Sequence, residues 1–360
     1  MSRRKIALIL GSGFSKEAGL PTTSELSNVF LDSPSDGVLN RKAEDCITEI
    51  LRQFWKYAFD YEGGDLMPSL EDHFTLLDLS ANSGHQLGRQ YPPRKLRAIR
   101  RMSIHRVFQI LDASVGRADR ASQLLLRLHE MFDVSIITLN WDIVVELLLK
   151  ANGRSVSYGI TIGEFPDTFE TIGGTPLLKV HGSSNWVYCD CCRRLYAGTR
   201  KSALYQRAFL EEKDFELFVG GRRLKGLGLG NHDDRKCPHC GNVMAGRVAT
   251  FSYRKAFSIN QFQTIWDKSH EHLSNASIWL FVGYSMPQAD FEFRHLLKSA
   301  QLACCPVGGW KCEAIVGTDR NAAERYRGFF GLQDDCVRQE SLSWWVEHRL
   351  DDFCRKNATA

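Results

Sequence analysis

The chain has 360 residues, of which 43% are hydrophobic and 24% are charged, so it can form one large domain or two to three smaller modules. The formal net charge of +4 is too small to predict nucleic-acid binding by itself. The apolar run near the N-terminus is too short for a signal peptide or a membrane span. We therefore expect a cytosolic protein in which the 11 cysteines stay reduced.

The sequence begins with an apolar run that ends in a glycine-rich turn, KIALILGSGFSKEAGLP (Lys5–Pro21). Glycines directly after a buried strand clear space for a phosphate group or for tight packing. The dinucleotide-binding fingerprint requires glycines at its first, third and sixth positions. Here the glycines are Gly11, Gly13 and Gly19, and Lys16 occupies the sixth position. The spacing alone therefore supports nucleotide binding only weakly, and a plain strand-to-helix turn is the alternative.

Residues 22–120 show helical patterns, such as CITEILRQFWKYAF, and no convincing buried strand. We therefore predict a helical insertion that packs beside a sheet. Within it, residues 89–106 carry seven Arg or Lys residues and no acidic residue. This basic stretch is either a solvated helix face or a surface for nucleic acid or an acidic partner.

Five apolar runs share continuous rather than alternating hydrophobicity, which is typical of strands covered on both faces of a parallel sheet. Helical patterns lie between most of them, so the sequence predicts an α/β fold with a doubly wound, Rossmann-like sheet. We assign residues 1–21, 121–185 and 248–335 to this discontinuous domain. Ligands bind beyond the carboxyl ends of such strands, where all five runs carry polar residues. The runs are Ile6–Gly13, Val134–Asp142, Pro176–Ser184, Ile278–Ser285 and Cys312–Asp319.

Two C-x-x-C pairs lie in residues 186–247, the second interruption of the α/β pattern. Two-residue spacing lets both thiolates of a tight turn reach one tetrahedral Zn²⁺. We therefore predict a zinc-ribbon module, with a redox dithiol or uncoordinated cysteines as the alternatives. Four thiolates leave no open coordination position, so the zinc is structural; spacing leaves open whether Cys191 or His239 replaces one ligand. The four candidate ligands are Cys189, Cys192, Cys237 and Cys240.

The C-terminal segment, residues 336–360, contains SLSWWVEHRLDDFCR. Its apolar residues recur at helical spacing. We predict an amphipathic C-terminal helix that packs on the domain or forms an oligomer contact.

The order of the short motifs resembles that of the sirtuin family. These motifs are GSGFSKEAGLP, TLNWD, HGS, the two C-x-x-C pairs, GYS and VGTD. The match spans most of the chain outside the helical insertion. The resemblance implies a Rossmann-like domain that binds NAD, with a zinc-ribbon module and a helical module beside it.

The resemblance also implies roles for individual residues. Asn140 would hold the nicotinamide ribose and a water, Asp142 would accept a hydrogen bond from the carboxamide, and His181 would be the general base. Taken singly, an asparagine at a strand end is usually a turn former, such an aspartate caps a helix, and a lone histidine is structural. The implied NAD-binding residues are Gly11, Ser12, Gly13 and Ser15 for the pyrophosphate and ribose, Gly283 and Ser285 for the adenosine, and Asp319 near the adenine ribose.

Several positions depart from the protein-deacylating sirtuins. Pro21 is followed by TTSEL instead of Asp-Phe-Arg, Leu139 replaces a glutamine, and Trp141 replaces a small aliphatic residue. The Phe-Gly-Glu segment that clamps an acylated peptide is not found in GRVATFSYRKAFS, residues 246–258. The residues that cleave NAD are therefore present, whereas those that position acyl-lysine are missing or altered. GYSMPQAD and KEAGLPTT resemble instead the bacterial sirtuin-like effectors of anti-phage defence, which hydrolyse NAD.

We therefore predict an NAD glycohydrolase that releases nicotinamide and ADP-ribose. Because unregulated NAD hydrolysis harms the host, we expect control by oligomerisation or by a protein partner. One alternative is an NAD-dependent protein deacylase, and a lesser one is an ADP-ribosyl transferase. A third is a non-catalytic adaptor that binds NAD, ADP-ribose or nucleic acid. Cyclisation of the ADP-ribose product stays open as well.

Overall fold

The computed structural model describes residues 3–32, 39–113, 116–163, 168–198, 210–219, 227, 229, 236–245, 260–304 and 309–358. The strands in these ranges are β1 Lys5–Leu10, β2 Asp133–Thr138, β3 Val156–Ser157, β4 Thr175–Lys179, β5 Trp186–Cys189, β6 Leu195–Ala197, β7 Met244–Ala245, β8 Ile278–Val282, β9 Lys311–Ile315 and β10 Val337–Arg338. The α-helices are Ser12–Ser15, Thr23–Val29, Arg41–Phe59, Leu70–Ser83, Pro93–Ala113, Asp119–Met131, Val144–Ala151, Glu212–Glu216, Asn260–Asn275, Phe291–Ala303, Arg320–Phe330, Leu342–His348 and Leu350–Ala358. Three 3₁₀ turns cover Lys16–Ala18, Gln288–Asp290 and Asp334–Cys336.

Seven strands form one parallel sheet in the order β10-β9-β8-β1-β2-β4-β3. The chain places β2 on one side of β1 and later places β8 on the other side. The direction of growth therefore reverses at β1, and the crevice beyond the carboxyl ends of β1 and β8 is the topological switch point of the sheet. The prediction of a Rossmann-like parallel sheet is confirmed.

The central strand shows why this sequence forms such a sheet. All five residues from Ile6 to Leu10 are inaccessible to solvent. Because successive side chains of a strand point to opposite faces, five buried residues in a row require both faces to be covered. The helix Asp119–Met131 packs on β2, and the helix Asn260–Asn275 packs on β1 and β4. All five predicted runs form strands, and each strand ends before the polar residues that follow it.

Two strands of the sheet were not predicted. β3 and β10 are two residues long and lie at the opposite edges of the sheet. A two-residue edge strand leaves no periodic signal in a sequence. The described part of residues 336–360 is largely helical, as expected, but it contains β10 and then two helices that are separated at Arg349 instead of one.

Between β1 and β2 the described residues form helices and turns, with no strand of either sheet. The helix Pro93–Ala113 packs against the helices Arg41–Phe59 and Leu70–Ser83. The helical character predicted for this part of the chain is confirmed. Its separation as a module over residues 22–120 stays a prediction.

Several arginine side chains of the basic stretch form ion pairs within the protein. Arg106 is fully buried and contacts Glu44 at 3.3 Å, and Arg100 contacts Asp78 at 2.6 Å. Arg101 pairs with the buried Asp214 of the helix Glu212–Glu216. These ion pairs connect helices of the insertion to one another and to the rest of the chain, which favours a structural role for the stretch. In the part of the chain that the structure describes, no helix has the length and hydrophobicity needed to span a bilayer.

Candidate active site and metal centre

The candidate active site lies at the switch point between β1 and β8. It consists of an inner cavity of about 80 Å³ and an adjoining cleft of about 900 Å³. Their shared wall includes residues of both strand ends, among them Ser12 and Gly283. Together they have the size of a cavity that binds a small molecule or cofactor.

The glycines of the first turn allow two loops to touch. A Cβ on Gly11 would lie 2.5 Å from the carbonyl oxygen of Gly283, and a Cβ on Gly13 would lie 2.7 Å from the Cα of Gly283. Gly283 itself has a φ of +64°, and its Cβ would lie 2.3 Å from the Phe14 nitrogen. No side chain fits into this contact, so the three glycines are required for packing.

Two backbone N–H groups of this turn donate hydrogen bonds to carbonyls of the protein itself. The Gly11 amide donates to the Val282 carbonyl at 3.1 Å, and the Gly13 amide donates to the Gly283 carbonyl at 2.9 Å. The N–H groups of Gly11 and Gly13 are therefore not available to a phosphate. Their contribution to the cleft is its shape.

Asn140, Ser15 and Asp142 form a hydrogen-bonded network in the inner cavity. The Asn140 side-chain amide donates to the Ser15 hydroxyl and to the Gly11 carbonyl, both at 2.9 Å. The Ser15 hydroxyl donates to Asp142 Oδ2 at 2.8 Å. The other carboxylate oxygen of Asp142 accepts from the Val144 amide at 3.0 Å and so caps the following helix. Both amide hydrogens of Asn140 are thus used, which leaves its Oδ1 as the atom that can accept from a ligand.

The sheet register brings His181 beside Asn140. Thr138 at the end of β2 pairs with Lys179 at the end of β4. Asn140 and His181 each follow two residues later, so they leave neighbouring strands at the same level. The Ser184 amide donates to the Trp141 carbonyl at 2.8 Å, which joins the two loops. His181 is 4% exposed and lines the same inner cavity as Asn140 and Asp142.

The remaining predicted residues line the outer cleft or its border. Asp319 caps the helix Arg320–Phe330 through the Ala322 amide at 2.9 Å, and its other oxygen lies 3.4 Å from Arg325. Arg325 also donates to the Ser285 carbonyl at 2.8 Å, which joins the β8 and β9 loops. The structure therefore brings all ten predicted catalytic and NAD-binding residues to the walls of two adjoining cavities.

Two carboxylates of the inner cavity were missed by sequence reasoning. Asp290 is 9% exposed and accepts a hydrogen bond from the Tyr284 hydroxyl at 3.2 Å. Burial, together with the Asp290 charge, raises the pKa of Tyr284 well above its ordinary value. Glu71 reaches the cavity from the helix Leu70–Ser83 of the insertion, where no motif marks it. The GYSMPQAD motif contains Asp290 and could have identified it.

The insertion also covers the cavity with apolar side chains. Trp141 is 2% exposed, and its ring packs edge-on against Phe108 and Phe74, with centroid distances of 5.6 and 6.4 Å. Leu111 of the insertion and Leu139 line the same cavity. Of the two positions Leu139 and Trp141, the tryptophan therefore packs against aromatic side chains of residues 22–120, and the leucine lines the cavity.

The metal centre is a separate cluster of four cysteines beside the antiparallel sheet β6-β5-β7. Their sulfur atoms all lie within 4.8 Å of one another, with the closest pairs at 3.5 and 3.6 Å. Four sulfurs around a tetrahedral zinc at about 2.3 Å are about 3.8 Å apart. The cluster therefore fits a zinc ion. Cys191 and His239 are not part of this cluster; its members are Cys189, Cys192, Cys237 and Cys240.

The surroundings favour thiolates in the second knuckle, Cys237 and Cys240, whereas burial raises the pKa values of Cys189 and Cys192 in the first. The backbone and side-chain N–H groups of Asn242 lower the pKa of Cys240 to about 6. The Tyr196 hydroxyl lies 3.1 Å from the Cys237 sulfur and can donate to its thiolate. Each knuckle turns through a left-handed residue, Gly241 with a φ of +70° and Arg193 with a φ of +58°. Thiolates supported in this way are the ligands that zinc requires.

No family model matches this chain, and no curated protein matches it. Among solved structures, it is similar to a Sir2 homologue in complex with NAD, at 13% identity over 99% of this chain and 91% of that chain, with a TM-score of 0.44. A Sir2 homologue mutant in complex with ADP-ribose shares 14% identity over 98% and 93%, with a TM-score of 0.45. Sir2 bound to an acetylated peptide shares 11% identity over 98% and 94%, with a TM-score of 0.40. These scores are low, and the functional conclusion rests on the chain's own residues.

The chain is a doubly wound α/β protein with a polar ligand cleft at its switch point and a separate four-cysteine centre.

Proposed function

We propose that this chain is a sirtuin-like NAD glycohydrolase, which cleaves the bond between nicotinamide and ribose. One observation carries the proposal: Asn140, Asp142 and His181 line a single cavity at the ends of neighbouring strands. Ser15 of the glycine turn connects two of them. The sirtuin-like order of the motifs supports the same function.

The two cavities suggest how NAD lies. The outer cleft would take the ADP portion against Ser12, Gly13, Gly283, Ser285 and Asp319, all of which line it. The nicotinamide and its ribose would lie at the mouth of the inner cavity and extend from it into the cleft. Asn140, Asp142 and His181 then surround the bond that breaks, which is the arrangement that catalysis by positioning requires.

In the proposed reaction the carbon–nitrogen bond breaks first, and its electron pair leaves with nicotinamide. The ribose passes through an oxocarbenium-like state, and water adds to the same carbon. Asn140 Oδ1 would accept a hydrogen bond from the ribose or the water, and Asp142 would hold the carboxamide. His181 would take the proton that the water loses. The products are nicotinamide and ADP-ribose.

The four cysteines would hold one Zn²⁺ in a closed coordination shell. A closed shell supplies structure and no open position for a substrate. The proposed modules are the discontinuous Rossmann-like domain of residues 1–21, 121–185 and 248–335, the helical insertion 22–120, the zinc ribbon 186–247 and the C-terminal segment 336–360.

The apolar cover over the inner cavity supports water rather than acyl-lysine as the acceptor. Trp141 packs against the insertion and Leu139 lines the inner cavity, at positions where deacylating sirtuins carry other residues. The segment 246–258, in which no peptide clamp was found in the sequence, lies outside the described residues. A protein deacylase is the second candidate, and it predicts nicotinamide release that depends on an acetylated peptide.

We further propose that the protein acts in the cytosol as an NAD-depleting effector of anti-phage defence. The motifs GYSMPQAD and KEAGLPTT support this role through their resemblance to such effectors. An unrestrained NAD hydrolase would deplete its own host, so activation by a protein partner or by oligomerisation belongs to the proposal.

The proposal is tested by incubating the full chain with NAD and separating the products by chromatography. We expect nicotinamide and ADP-ribose, and a loss of about 100-fold or more in Asn140→Ala and His181→Ala. Asn152→Ala and His348→Ala are matched controls outside the cavity and should keep full activity. Full activity in either site variant contradicts the proposal. O-acetyl-ADP-ribose formed only with an acetyl-peptide favours the deacylase. Label transferred from NAD to protein indicates ADP-ribosyl transfer, and salt-dependent nucleic-acid binding without NAD turnover indicates the adaptor.

A further inference from the structure

A buried ion pair lies directly behind the proposed catalytic loops. Lys179 is the last residue of β4 and is 1% exposed, and Glu146 in the first turn of the helix Val144–Ala151 is also 1% exposed. The Lys179 ammonium lies 3.0 Å from Glu146 Oε1. The residues on either side of Lys179, Leu178 and Val180, are fully buried and apolar. The proposed chemistry uses neither charge.

The lysine makes a second contact that points to its role. Its ammonium also donates to the backbone carbonyl of Asp142, which belongs to the proposed catalytic loop. Glu146 in turn accepts a hydrogen bond from the buried Tyr158 hydroxyl at 3.2 Å. Burial raises the pKa of Glu146, and the Lys179 charge opposes this shift. One ammonium group therefore joins the strand that carries His181 to the loop that carries Asn140 and Asp142.

We propose that Lys179 is a positioning residue, which holds the Asp142 backbone at a fixed distance from His181 and is itself held by Glu146. This inference rests on the proposed function of the same cavity. Lys179 does not line either cavity, so it acts through Asp142 rather than on a ligand.

Stability alone does not account for this ion pair. A buried pair of opposite charges can often be replaced by apolar residues without loss of stability, because removing the charges from water is costly. Removal of only one partner is costly because it leaves a buried charge alone. A double apolar variant therefore separates the two roles, since it removes both buried charges together but leaves the Asp142 carbonyl without its donor.

The test compares Lys179→Met with Lys179→Met/Glu146→Leu. We expect the single variant to lower the urea midpoint of unfolding by about 1 M, and the double variant to recover most of that loss. We expect kcat for nicotinamide release to fall about 10- to 100-fold in both, with KM for NAD changed less than about threefold, because misplacement of about 1 Å acts on the transition state. Lys179→Arg keeps the positive charge and the hydrogen-bond donors, so we expect its kcat to fall less than that of Lys179→Met.

The matched control is Leu273→Ala, on the helix Asn260–Asn275 at the amino-terminal side of β8 and away from the cleft. It should lower the urea midpoint by a similar amount and leave kcat unchanged. Wild-type kcat in the stable double variant overturns the inference. A kcat that follows the urea midpoint in all variants, including Leu273→Ala, overturns it as well.

A crystal structure of the double variant gives a readout that does not depend on activity. We expect the Asp142 carbonyl to move by about 1 Å or more relative to His181. Superposition of both loops on the wild-type positions overturns the inference even if the wild-type protein releases no nicotinamide. Absence of nicotinamide release by the wild type, with the expected displacement present, instead overturns the proposed function and leaves the positioning role standing.

Discussion

The ligand cleft and the cysteine centre are both built from residues that are far apart in the chain, but different forces hold them. The cleft residues follow strands of the main core, where Ile6–Leu10 are fully buried. The cysteines lie at a small sheet, and two of them belong to its core of five buried residues. These residues are Val187, Cys189, Tyr196, Cys237 and Met244. The core therefore shapes the cleft, whereas we expect the small core around the cysteines to need a metal.

The largest expected effect is therefore on the cysteine centre. We expect one zinc per chain, and loss of zinc in Cys189→Ser with local unfolding of the β5–β7 sheet, because structural zinc supplies about 10 kcal/mol or more to small modules. Metal analysis and hydrogen exchange measure both effects. Cys191→Ser is the matched control and should keep the metal. If the amides of β5–β7 stayed protected from hydrogen exchange without zinc, the cysteine centre would not depend on a metal.

The next effect tests whether packing shapes the cleft. Gly283→Ala should destabilise the fold by about 3 kcal/mol or more, because its Cβ would lie 2.3 Å from a backbone nitrogen in a left-handed residue. Gly331→Ala is the control, since Gly331 also has a positive φ but no atom within 4 Å of the added Cβ. It should cost about 1 kcal/mol. If urea unfolding showed the same loss of free energy of unfolding in Gly283→Ala and Gly331→Ala, the contact between the loops would not contribute to stability.

A smaller effect of opposite sign is expected in the first cysteine knuckle. Arg193 is exposed and has a φ of +58° at the position that Gly241 occupies in the second knuckle. Arg193→Gly should raise the free energy of unfolding of the zinc-loaded protein by about 1 kcal/mol, because glycine has no Cβ to strain there. Gly241→Ala should lower it by a similar amount. Thermal unfolding in the presence of zinc distinguishes the two signs.

The smallest effect concerns the rim of the cleft. The hydrogen bond from Lys16 lowers the pKa of Glu25 to about 2. A lowered carboxyl pKa contributes stability above pH 4.5, which is lost as the pH falls towards 2. Because both side chains are largely exposed, the contribution is below about 1 kcal/mol. Lys16→Met should remove the part that Lys16 supplies and leave the part that the Thr22 backbone N–H supplies. An unchanged acid dependence of urea unfolding would show that the pair contributes nothing.

The features that could be predicted from the sequence are those with a local pattern. Strands β1, β2, β4, β8 and β9 were predicted because each is a continuous apolar run, and the polar residues after them were placed at one edge of the sheet. The cysteine ligands were predicted because their spacing is local. Long-range contacts leave no such signal.

Three features show the limit of sequence reasoning. The contact that requires Gly11 and Gly13 comes from Gly283, in a distant part of the chain. Lys179 lies within an apolar run and gives no indication that it reaches Asp142. Both contacts depend on which strands become neighbours in the sheet. The third feature is the pair of edge strands β3 and β10, which are too short to give a periodic signal in the sequence.

The most direct test of the central claim is a crystal structure of the full chain with ADP-ribose and nicotinamide. We expect the ADP portion in the outer cleft, with Asn140 and His181 both within hydrogen-bond distance of the ribose that carried nicotinamide. A ligand bound elsewhere, or a ribose contacted by neither side chain, would contradict it.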